Sequence, residues 1–264
     1  MGNSVVAVPS PPSNVVLDID GCLTLGERAV PGAAEAILAL TRRGINCIIA
    51  TNNSTRSRQA VAAMLTDLLG IAIAPASVVT SALAAAALLE PAHSPALVVG
   101  EEGVRSALAE AGIVVTDEPE EARSVVVGLD RSFDYAAMGR ASRAVIACAF
   151  LIATNDDATF PTPGRDLPGA GALVAAIERA SGGVAVVAGK PHLPMLRAVA
   201  KLLAPGTTWM VGDRPETDIA FARAAGWEAV LVLSGITRDA SGVPAHLAPD
   251  AVIPSVADLP RLLA

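Results

Sequence analysis

Two aspartates follow a short apolar run near the beginning of the chain, Val15-Val16-Leu17-Asp18-Ile19-Asp20-Gly21. Side chains two residues apart on a strand point to the same face, so Asp18 and Asp20 would project together where the strand gives way to a loop. Ligands of open α/β sheets bind beyond this end of the strands. Carboxylates placed there can serve as a nucleophile, as a general acid or base, or as metal ligands. Taken alone, the same residues also suit an ordinary strand-ending turn, because Asp and Gly favour turns.

Three more polar motifs follow strand-like runs further along the chain. They are Thr51-Asn52-Asn53-Ser54, Gly189-Lys190-Pro191 and the stretch from Gly212-Asp213 to Asp218. Hydroxyl and amide groups at a strand end can bind phosphate oxygens, helped by the helix N-terminus that follows, and a lysine supplies a point charge for an anion. Each motif also has an ordinary explanation: a cluster that caps a helix, a surface lysine, or acidic residues that offset a helix dipole.

Strand-like and helix-like runs alternate along almost the whole chain, which predicts an α/β fold with a parallel sheet covered by helices. The first unit runs from a strand at Val15–Asp18 through a helix at Pro31–Arg43 to a strand at Ile45–Thr51, with Gly44 just past the helix end. The last third continues the pattern with three strands expected to be buried. These strands are Val184–Ala188, Thr207–Val211 and Glu228–Leu233, and the expected helices are His192–Leu203 and Glu216–Ala225.

In one parallel sheet, all four polar motifs would meet at a single edge. Crowded aspartates would repel one another and raise each other's pKa, and a divalent cation would relieve that conflict. Ligands that are all oxygen favour Mg²⁺. Lys190 and the polar groups of 51–54 would then hold an anion against the metal, a combination that fits phosphoryl transfer.

The middle of the chain, about Ser81 to Gly182, also alternates between strand-like and helix-like runs, but different turn and loop residues separate them. Its candidate strands are Ala96–Val99, Ser124–Val127 and Phe150–Ala153. A loop rich in Pro, Gly and Asp follows at Asn155–Gly171. This segment either extends the same sheet or forms a second, smaller α/β domain.

Composition excludes several classes of protein. The 264 residues are enough to bury a core without disulfides, and the net charge of −7 argues against nucleic acid or an anionic membrane as a partner. Cys22, Cys47 and Cys148 are odd in number and widely spaced, which indicates reduced thiols in a cytoplasmic protein. The longest apolar runs are too short to span a bilayer, and the first 13 residues indicate a disordered tail rather than a secretion signal.

The four motifs together resemble those of the haloacid dehalogenase (HAD) superfamily. Further stretches resemble its NagD-like, 4-nitrophenylphosphatase-type members of subclass IIA: Val30-Pro31-Gly32-Ala33, Val78-Val79-Thr80-Ser81, Gly128-Leu129-Asp130 and Pro168-Gly169-Ala170-Gly171-Ala172-Leu173. The resemblance covers nearly all of the chain beyond Ser13. It implies a Rossmann-like HAD core at 14–80 and 183–264, and an inserted α/β cap domain of the C2 type at 81–182, after a disordered tail at 1–13.

The resemblance also implies roles for the motif residues. Asp18 would be the nucleophile that forms an aspartyl-phosphate, and Asp20 would protonate the leaving alkoxide and then activate water. Mg²⁺ would be held by Asp18, the backbone carbonyl of Asp20 and Asp213, with Asp218 behind them or bridged through water. The residues expected to bind the substrate phosphate are Thr51, Asn52, Asn53 and Lys190. Homodimers formed through the cap would fit the family.

The substrate is expected to be a small phosphate ester, and it is not fixed further by the motifs. Aromatic residues make up only 3% of the chain, which favours glycerol phosphate or phosphoglycolate over a nucleotide, although sugar and pyridoxal phosphates remain alternatives. Thr24, Leu25 and Asp156 stand where many relatives have an aromatic residue, Arg and Pro, so the substrates of relatives should not be transferred. A dehalogenase-like enzyme would not need Asp20, because a halide leaves without a proton. A non-catalytic binding protein would not need the pair of Asp18 and Asp20.

Overall fold

The computed structural model describes residues 11–162 and 165–263 and has the predicted α/β fold. The strands are β1 (Asn14–Leu17), β2 (Thr24–Leu25), β3 (Arg28–Ala29), β4 (Asn46–Thr51), β5 (Val78–Thr80), β6 (Ala96–Val99), β7 (Val115–Thr116), β8 (Ser124–Val127), β9 (Phe150–Ala153), β10 (Thr159–Thr162), β11 (Arg165–Pro168), β12 (Val186–Val187), β13 (Thr208–Gly212), β14 (Glu228–Val232) and β15 (Ala251–Ile253). The α-helices are α1 (Ala33–Arg42), α2 (Arg58–Leu69), α3 (Ser81–Ala86), α4 (Glu102–Glu110), α5 (Tyr135–Ile146), α6 (Ala170–Ser181), α7 (Leu193–Ala200) and α8 (Ala220–Ala225). Among the described helices, none is both long and apolar enough to cross a bilayer.

The chain divides into two compact units. The first unit holds residues up to 51, residues 62–78 and residues from 199 onward, and the second holds 52–61 and 79–198. The expected tail at 1–13 lies mostly outside the described residues. At its end, the backbone N–H of Ser13 donates to the Thr207 carbonyl over 2.8 Å, so the chain is already tied to the first unit there.

The first unit is built on a six-stranded sheet in the order β15-β14-β13-β1-β4-β5. β1 lies inside it and pairs in parallel with β13 on one side and β4 on the other. Val15, Val16 and Leu17 are fully buried, as expected for a strand covered on both faces. This sheet brings the ends of β1, β4 and β13 side by side, as the alternation of elements predicted.

Helix α1 begins at Ala33, two residues after the expected start at Pro31. Gly32 occupies the N-cap position with φ 83°, a left-handed conformation that favours glycine. A Cβ on Gly32 would also lie 2.6 Å from the Cβ of Ala257, so glycine permits close packing there. At the other end, Gly44 has φ 76° and terminates the helix as predicted.

A polar cluster joins the amino ends of three strands in the first unit. Asn14 is fully buried, and its Nδ2 donates to the Ala204 carbonyl at 2.8 Å and to the Thr208 hydroxyl at 3.2 Å. Its Oδ1 accepts from the Ala204 N–H at 2.8 Å and from Nδ2 of Asn46 at 3.1 Å. The carboxamide of Asn14 therefore satisfies groups on both sides of β1.

Both tryptophans of the chain belong to the first unit. Trp209 lies in β13 and is fully buried. Trp227 follows α8, and its ring meets that of Phe221 edge to face with centroids 5.4 Å apart. Trp209 and Phe221 thus belong to the core of the first unit, and Trp227 lies half-buried beside Phe221.

The second unit has its own five-stranded sheet in the order β12-β9-β8-β6-β7, in which every neighbouring pair is parallel. Of the two alternatives for the middle segment, the structure has the separate sheet. The alanine-rich faces of α5 and the apolar face of α6 pack with this sheet into one core, which includes Val125, Leu151 and Ile177. Small side chains at the contacting positions allow this close packing.

Two features of the second unit differ from expectation. Only Val186–Val187 of the run Val184–Ala188 forms a strand, and it pairs with β9 rather than with the first unit. It is an edge strand, so Val184 is 84% exposed and the expectation of a buried strand is wrong. The second unit therefore extends beyond the expected boundary at 182/183. The predicted loop Asn155–Gly171 contains an antiparallel pair, β10 and β11.

Candidate active site

Asp18 and Asp213 each come directly after one of two neighbouring parallel strands. Leu17, the last residue of β1, lies in register with Val211 of β13, and the N–H of Asp18 still donates to the Val211 carbonyl over 2.9 Å. Because the two strands run in the same direction, their carboxyl ends place both aspartates at one edge of the sheet. Both side chains are buried. This is the juxtaposition that the sequence predicted.

Asp218 joins these two aspartates from a single π-helical turn, Pro215–Ile219. Its Oδ2 accepts from the Arg214 N–H at 3.1 Å, which fixes the turn after β13. A Cβ on Gly212 would lie 2.2 Å from this carboxylate, so only glycine lets Asp218 lie against the strand end. Oxygens of Asp18, Asp213 and Asp218 lie within 4.8 Å of one another, and all three residues are buried.

The loop after β14 completes the surroundings of Asp213, and the sequence analysis missed it. The N–H of Ile236 donates to Oδ2 of Asp213 over 2.5 Å. A Cβ on Gly235 would lie only 1.9 Å from that oxygen. The Ser234 hydroxyl donates to the Gly21 carbonyl at 2.6 Å and joins this loop to the one after β1. The sequence signal that could have identified this loop is Ser234-Gly235, which follows a strand-like run as the four polar motifs do.

Asp20 lies on the loop that follows Asp18 and is exposed, unlike the three clustered aspartates. An isolated bridge to Thr24 and a 2.7 Å hydrogen bond from the Gly21 N–H to the Thr24 carbonyl hold this loop. Gly21 has φ 87°, and a Cβ there would lie 2.3 Å from Oδ2 of Asp213. Glycine thus lets the loop approach Asp213 while Asp20 stays exposed.

The second motif is divided between the two units. Thr51 ends β4, the strand on the other side of β1, and is buried. Asn53 forms a local turn, with its Oδ1 accepting from the Thr55 N–H at 3.0 Å and the Thr55 hydroxyl at 2.7 Å. The buried Ser54 hydroxyl accepts from the Leu129 N–H at 3.4 Å.

Asn52 and Lys190 contact each other in the second unit. Oδ1 of Asn52 accepts the backbone N–H of Lys190 at 2.7 Å, and Nδ2 donates to the Lys190 carbonyl at 3.1 Å. The Lys190 side chain is 2% exposed, which is unusual for lysine and contradicts the surface-lysine alternative. A Cβ on Gly189 would lie 2.6 Å from Oδ1 of Asn52, so this glycine is needed for the approach.

The loop after β9 surrounds this contact. The sequence motifs did not indicate that residues of this loop would hold Asn52. Asp157 accepts from Nδ2 of Asn52 at 3.2 Å, and Asn155 donates to the Asn52 carbonyl at 2.8 Å. Asp156 bonds to Nε2 of His192 at 3.1 Å. The hydrogen bond and charge of His192 hold the pKa of Asp156 below its usual range, although burial opposes the shift.

The expectation that one sheet edge gathers all four motifs is wrong. Three motifs follow β1, β4 and β13 of the six-stranded sheet, whereas Lys190 follows β12 of the five-stranded sheet. The run Val184–Ala188 has the composition of a strand, but composition does not identify the partner strand. In the structure that partner is β9.

The aspartate cluster fits a hard divalent cation. Its donors are all carboxylate oxygens, and three close carboxylates repel one another unless positive charge lies between them. Mg²⁺ takes oxygen ligands in this way and keeps several waters. The glycines at 21, 212 and 235 leave the space in which these carboxylates approach one another.

Two family models match the chain. Residues 15–114 match the haloacid dehalogenase-like hydrolase model, and residues 187–259 match the HAD-hydrolase-like model. The two matched segments include Asp18, Thr51, Lys190 and Asp213.

Curated and solved relatives extend the likeness over nearly the whole chain. Chronophin from Mus musculus is 38% identical over 243 residues, which are 84% of this chain and 81% of chronophin. The ribonucleotide monophosphatase NagD from Escherichia coli K12 is 35% identical over 252 residues, 93% of this chain and 97% of NagD. A crystal structure of the glycerol phosphate phosphatase from Mycobacterium tuberculosis in complex with magnesium has a TM-score of 0.84 at 31% identity, covering 96% of this chain and 78% of that chain. The chain therefore belongs to the haloacid dehalogenase-like hydrolases and is a phosphatase of the NagD type.

Proposed function

We propose that this phosphatase hydrolyses a small phosphorylated metabolite in a Mg²⁺-dependent reaction, through an aspartyl-phosphate on Asp18. The observation that carries the proposal is the cluster of Asp18, Asp213 and Asp218 at the carboxyl ends of neighbouring parallel strands. Phosphoryl transfer depends mainly on positioning and on neutralising charge, and this cluster offers both a nucleophile and a cation site.

The two half-reactions need only Asp18 and Asp20 as reacting side chains. A carboxylate oxygen of Asp18 attacks the phosphorus, the bond to the leaving oxygen breaks, and the leaving oxygen takes the proton of Asp20. Asp20, now ionised, takes a proton from water, and the water oxygen attacks the phosphorus. Orthophosphate leaves and the Asp18 carboxylate is restored, so the net reaction consumes one ester and one water.

Asp20 supports a phosphate ester as the substrate over a halide. Its side chain is exposed on a loop that is held by Thr24, so it is accessible to a leaving group. An alkoxide is a strong base and leaves far more easily when an acid protonates it, whereas a halide needs no proton. A dehalogenase-like reaction would leave Asp20 without a role.

The proposal keeps the expected metal ligands, and it keeps the expected phosphate ligands other than Asn52. Mg²⁺ would be held by Asp18, the Asp20 backbone carbonyl and Asp213, supported by Asp218, and it would supply positive charge to the phosphoryl oxygens. We assign binding of the phosphoryl group to Thr51, Asn53 and Lys190. A buried ammonium interacts with an anion more strongly than one in water.

Two observations favour a small polyol or acid phosphate such as glycerol phosphate or phosphoglycolate. One relative is named as a glycerol phosphate phosphatase. In the second unit, the ring of Phe150 lies against His93, with centroids 5.2 Å apart, and Phe133 packs on the core. Of the described Phe and Tyr residues of the second unit, this leaves Tyr135 and Phe160 for stacking on a base. A nucleoside monophosphate is the second candidate, because another relative is named as a ribonucleotide monophosphatase.

The first experiment measures phosphate release from a panel of phosphate esters with Mg²⁺ or with EDTA. The panel contains glycerol phosphate, phosphoglycolate, nucleoside monophosphates, sugar phosphates, pyridoxal phosphate and p-nitrophenyl phosphate. We expect release with Mg²⁺, loss with EDTA and restoration when Mg²⁺ is added back. The Asp18→Asn variant keeps the shape of the side chain and should lose turnover by at least about 10³-fold, the order seen when a nucleophile is removed.

Circular dichroism of Asp18→Asn provides the control for folding. A folded wild-type protein that releases phosphate from no ester with Mg²⁺ present would overturn the proposal. Substantial turnover by Asp18→Asn would retain a phosphatase and reject Asp18 as its nucleophile. The highest kcat/KM in the panel identifies the substrate class.

A further inference from the structure

The side chain of Asn52 is committed to contacts within the protein. Its carboxamide has two N–H donors, and these go to the Lys190 carbonyl at 3.1 Å and to Oδ2 of Asp157 at 3.2 Å. Its oxygen accepts the Lys190 N–H at 2.7 Å. The two contacts with the Lys190 backbone fix the orientation of the amide. A flipped amide would place its Nδ2 donor against the Lys190 N–H and its Oδ1 acceptor against the Lys190 carbonyl.

We propose that Asn52 is a positioning residue that holds the Lys190 backbone, and that it does not itself bind the phosphoryl group. This revises the expectation that Asn52 is a phosphate ligand. The inference rests on the proposed function of Lys190 as a phosphoryl-binding cation. Asn52 then affects phosphate binding only by fixing the position of that cation.

The backbone of Asn52 is held as firmly as its side chain. Its carbonyl accepts from the Ser81 hydroxyl at 2.6 Å and from Nδ2 of Asn155 at 2.8 Å. A carboxamide that donates to a phosphoryl oxygen would have to release either Lys190 or Asp157. Releasing either partner would leave a polar group without its hydrogen bond, which opposes such a contact.

Asp157 gives this arrangement a link to the loop after β9. Its carboxylate accepts one of the two N–H groups of Asn52, and its own N–H donates to Oδ1 of Asn155 at 3.1 Å. The loop that follows β9 therefore sets the orientation of Asn52, and Asn52 sets the Lys190 backbone. Changes at Asp157 should act on phosphate affinity in the same direction as changes at Asn52, and more weakly.

A double-mutant cycle separates positioning from direct contact. Orthophosphate binding is measured by titration calorimetry in Mg²⁺ buffer for the wild type, Asn52→Ala, Lys190→Met and the double variant. We expect Asn52→Ala to weaken binding about tenfold, the order of one charge-assisted hydrogen bond. In the Lys190→Met background the same substitution should have no effect, because its only route to the ligand is gone. An equal loss in both backgrounds would mean that Asn52 touches the phosphate and would overturn the proposal.

Asn46→Ala is the matched control. Asn46 begins the strand that Asn52 follows, and its Nδ2 also donates twice, to Asn14 at 3.1 Å and to the Leu202 carbonyl at 2.9 Å. It should lower the melting temperature and leave orthophosphate affinity unchanged. A weakening equal to that of Asn52→Ala would attribute both effects to general loosening and would count against a specific role.

Amide hydrogen exchange tests the contact independently of phosphate chemistry. The Lys190 N–H should exchange slowly in the wild type and Asn46→Ala and faster in Asn52→Ala, because its acceptor Oδ1 is removed. Equal exchange in all three would overturn the proposal. If the wild type neither bound orthophosphate nor hydrolysed any ester, the proposed function would fail, and the exchange rates alone would decide whether Asn52 holds Lys190.

Discussion

Asp20 carries the clearest consequence at the scale of single residues. It is exposed on the loop after Asp18, whereas the clustered aspartates are buried. If Asp20 protonates the leaving group, Asp20→Asn should slow hydrolysis of an alkyl phosphate by about 10²–10⁴-fold, the usual contribution of general acid catalysis. p-Nitrophenyl phosphate should be slowed much less in the first step, because its leaving group needs little protonation. The measurement is kcat/KM for both esters.

The comparison of the two esters within one variant is its own control, since damage to the fold would affect both alike. Equal losses on both esters would remove Asp20 from the role of acid. If Asp20 also activates water, kcat should fall for both esters in Asp20→Asn. Both substrates form the same aspartyl-phosphate, so its hydrolysis is slowed equally for the two.

At this scale the sequence predicts the candidate reacting groups but not the groups that hold them. Asp18 and Asp213 could be placed together because each ends a strand-like run. The Ile236 N–H on Asp213 could not be predicted, because any residue has a backbone donor and only the folded loop aims it. Asn52 was expected to bind phosphate because its amide is a suitable donor. The structure shows that both donors are already used.

At the scale of elements, the amino ends of the strands should determine stability, whereas the carboxyl ends hold the candidate active site. Asn14 is fully buried and bonds to Ala204, Asn46 and Thr208. Asn14→Ala leaves several buried polar groups without partners and should lower the free energy of unfolding by about 2–4 kcal/mol, based on 1–3 kcal/mol for each such group. Urea denaturation gives this value.

Thr41→Ala is a suitable comparison for Asn14→Ala. The Thr41 hydroxyl donates to the Ile37 carbonyl at 2.9 Å within α1, a local bond whose acceptor also belongs to the helix ladder. It should cost well under 1 kcal/mol, since surface helix substitutions usually do. Comparable losses for the two variants would contradict a special role for the Asn14 cluster.

The elements also show where sequence patterns stop being informative. The boundaries of β1, β4 and α1 follow from apolar runs and periodicity, and they agree with the structure within a residue or two. β12 has the same apolar character, yet it lies at the edge of the other sheet. The hairpin of β10 and β11 could not be predicted from the sequence pattern either, because Pro, Gly and Asp in that segment favour a loop.

At the scale of the whole molecule, an ion pair in the first unit should make stability depend on acid pH. Burial raises the pKa of Asp250, but hydrogen bonds from Arg223 and the Ala229 N–H outweigh it, so the pKa lies below its usual range. Burial and the neighbouring Asp250 raise the pKa of Glu228. The Nη1 group of Arg223 lies 2.8 Å from Asp250.

A carboxyl whose pKa is lowered by folding stabilises the protein above its unfolded pKa, about 3.9 for Asp, and loses that contribution as pH falls through the folded pKa. Arg223→Met should therefore reduce the melting temperature more at pH 6 than at an acid pH below the folded pKa of Asp250. Arg42→Met, at an exposed arginine that ends α1, should show no such change with pH. A deficit for Arg223→Met that is the same at both pH values would contradict the assignment.

The division of the molecule into two units could be anticipated only in part. Alternating elements predict two parallel arrangements, and the resemblance to the HAD family supplies the idea of an insertion. The place where the second unit ends could not be predicted, because β12 and the first part of α7 belong to it by packing rather than by composition.

The positions of the tryptophans give the protein an intrinsic optical label on one unit alone. Trp209 and Trp227 are both in the first unit, and the single tyrosine, Tyr135, lies in the second unit, where it is 85% exposed. Fluorescence excited where tyrosine does not absorb will therefore follow unfolding of the first unit without a signal from the second unit. Far-ultraviolet circular dichroism follows the helices of both. The separation between the two transition curves measures how cooperatively the units unfold, with no dye and no engineered residue.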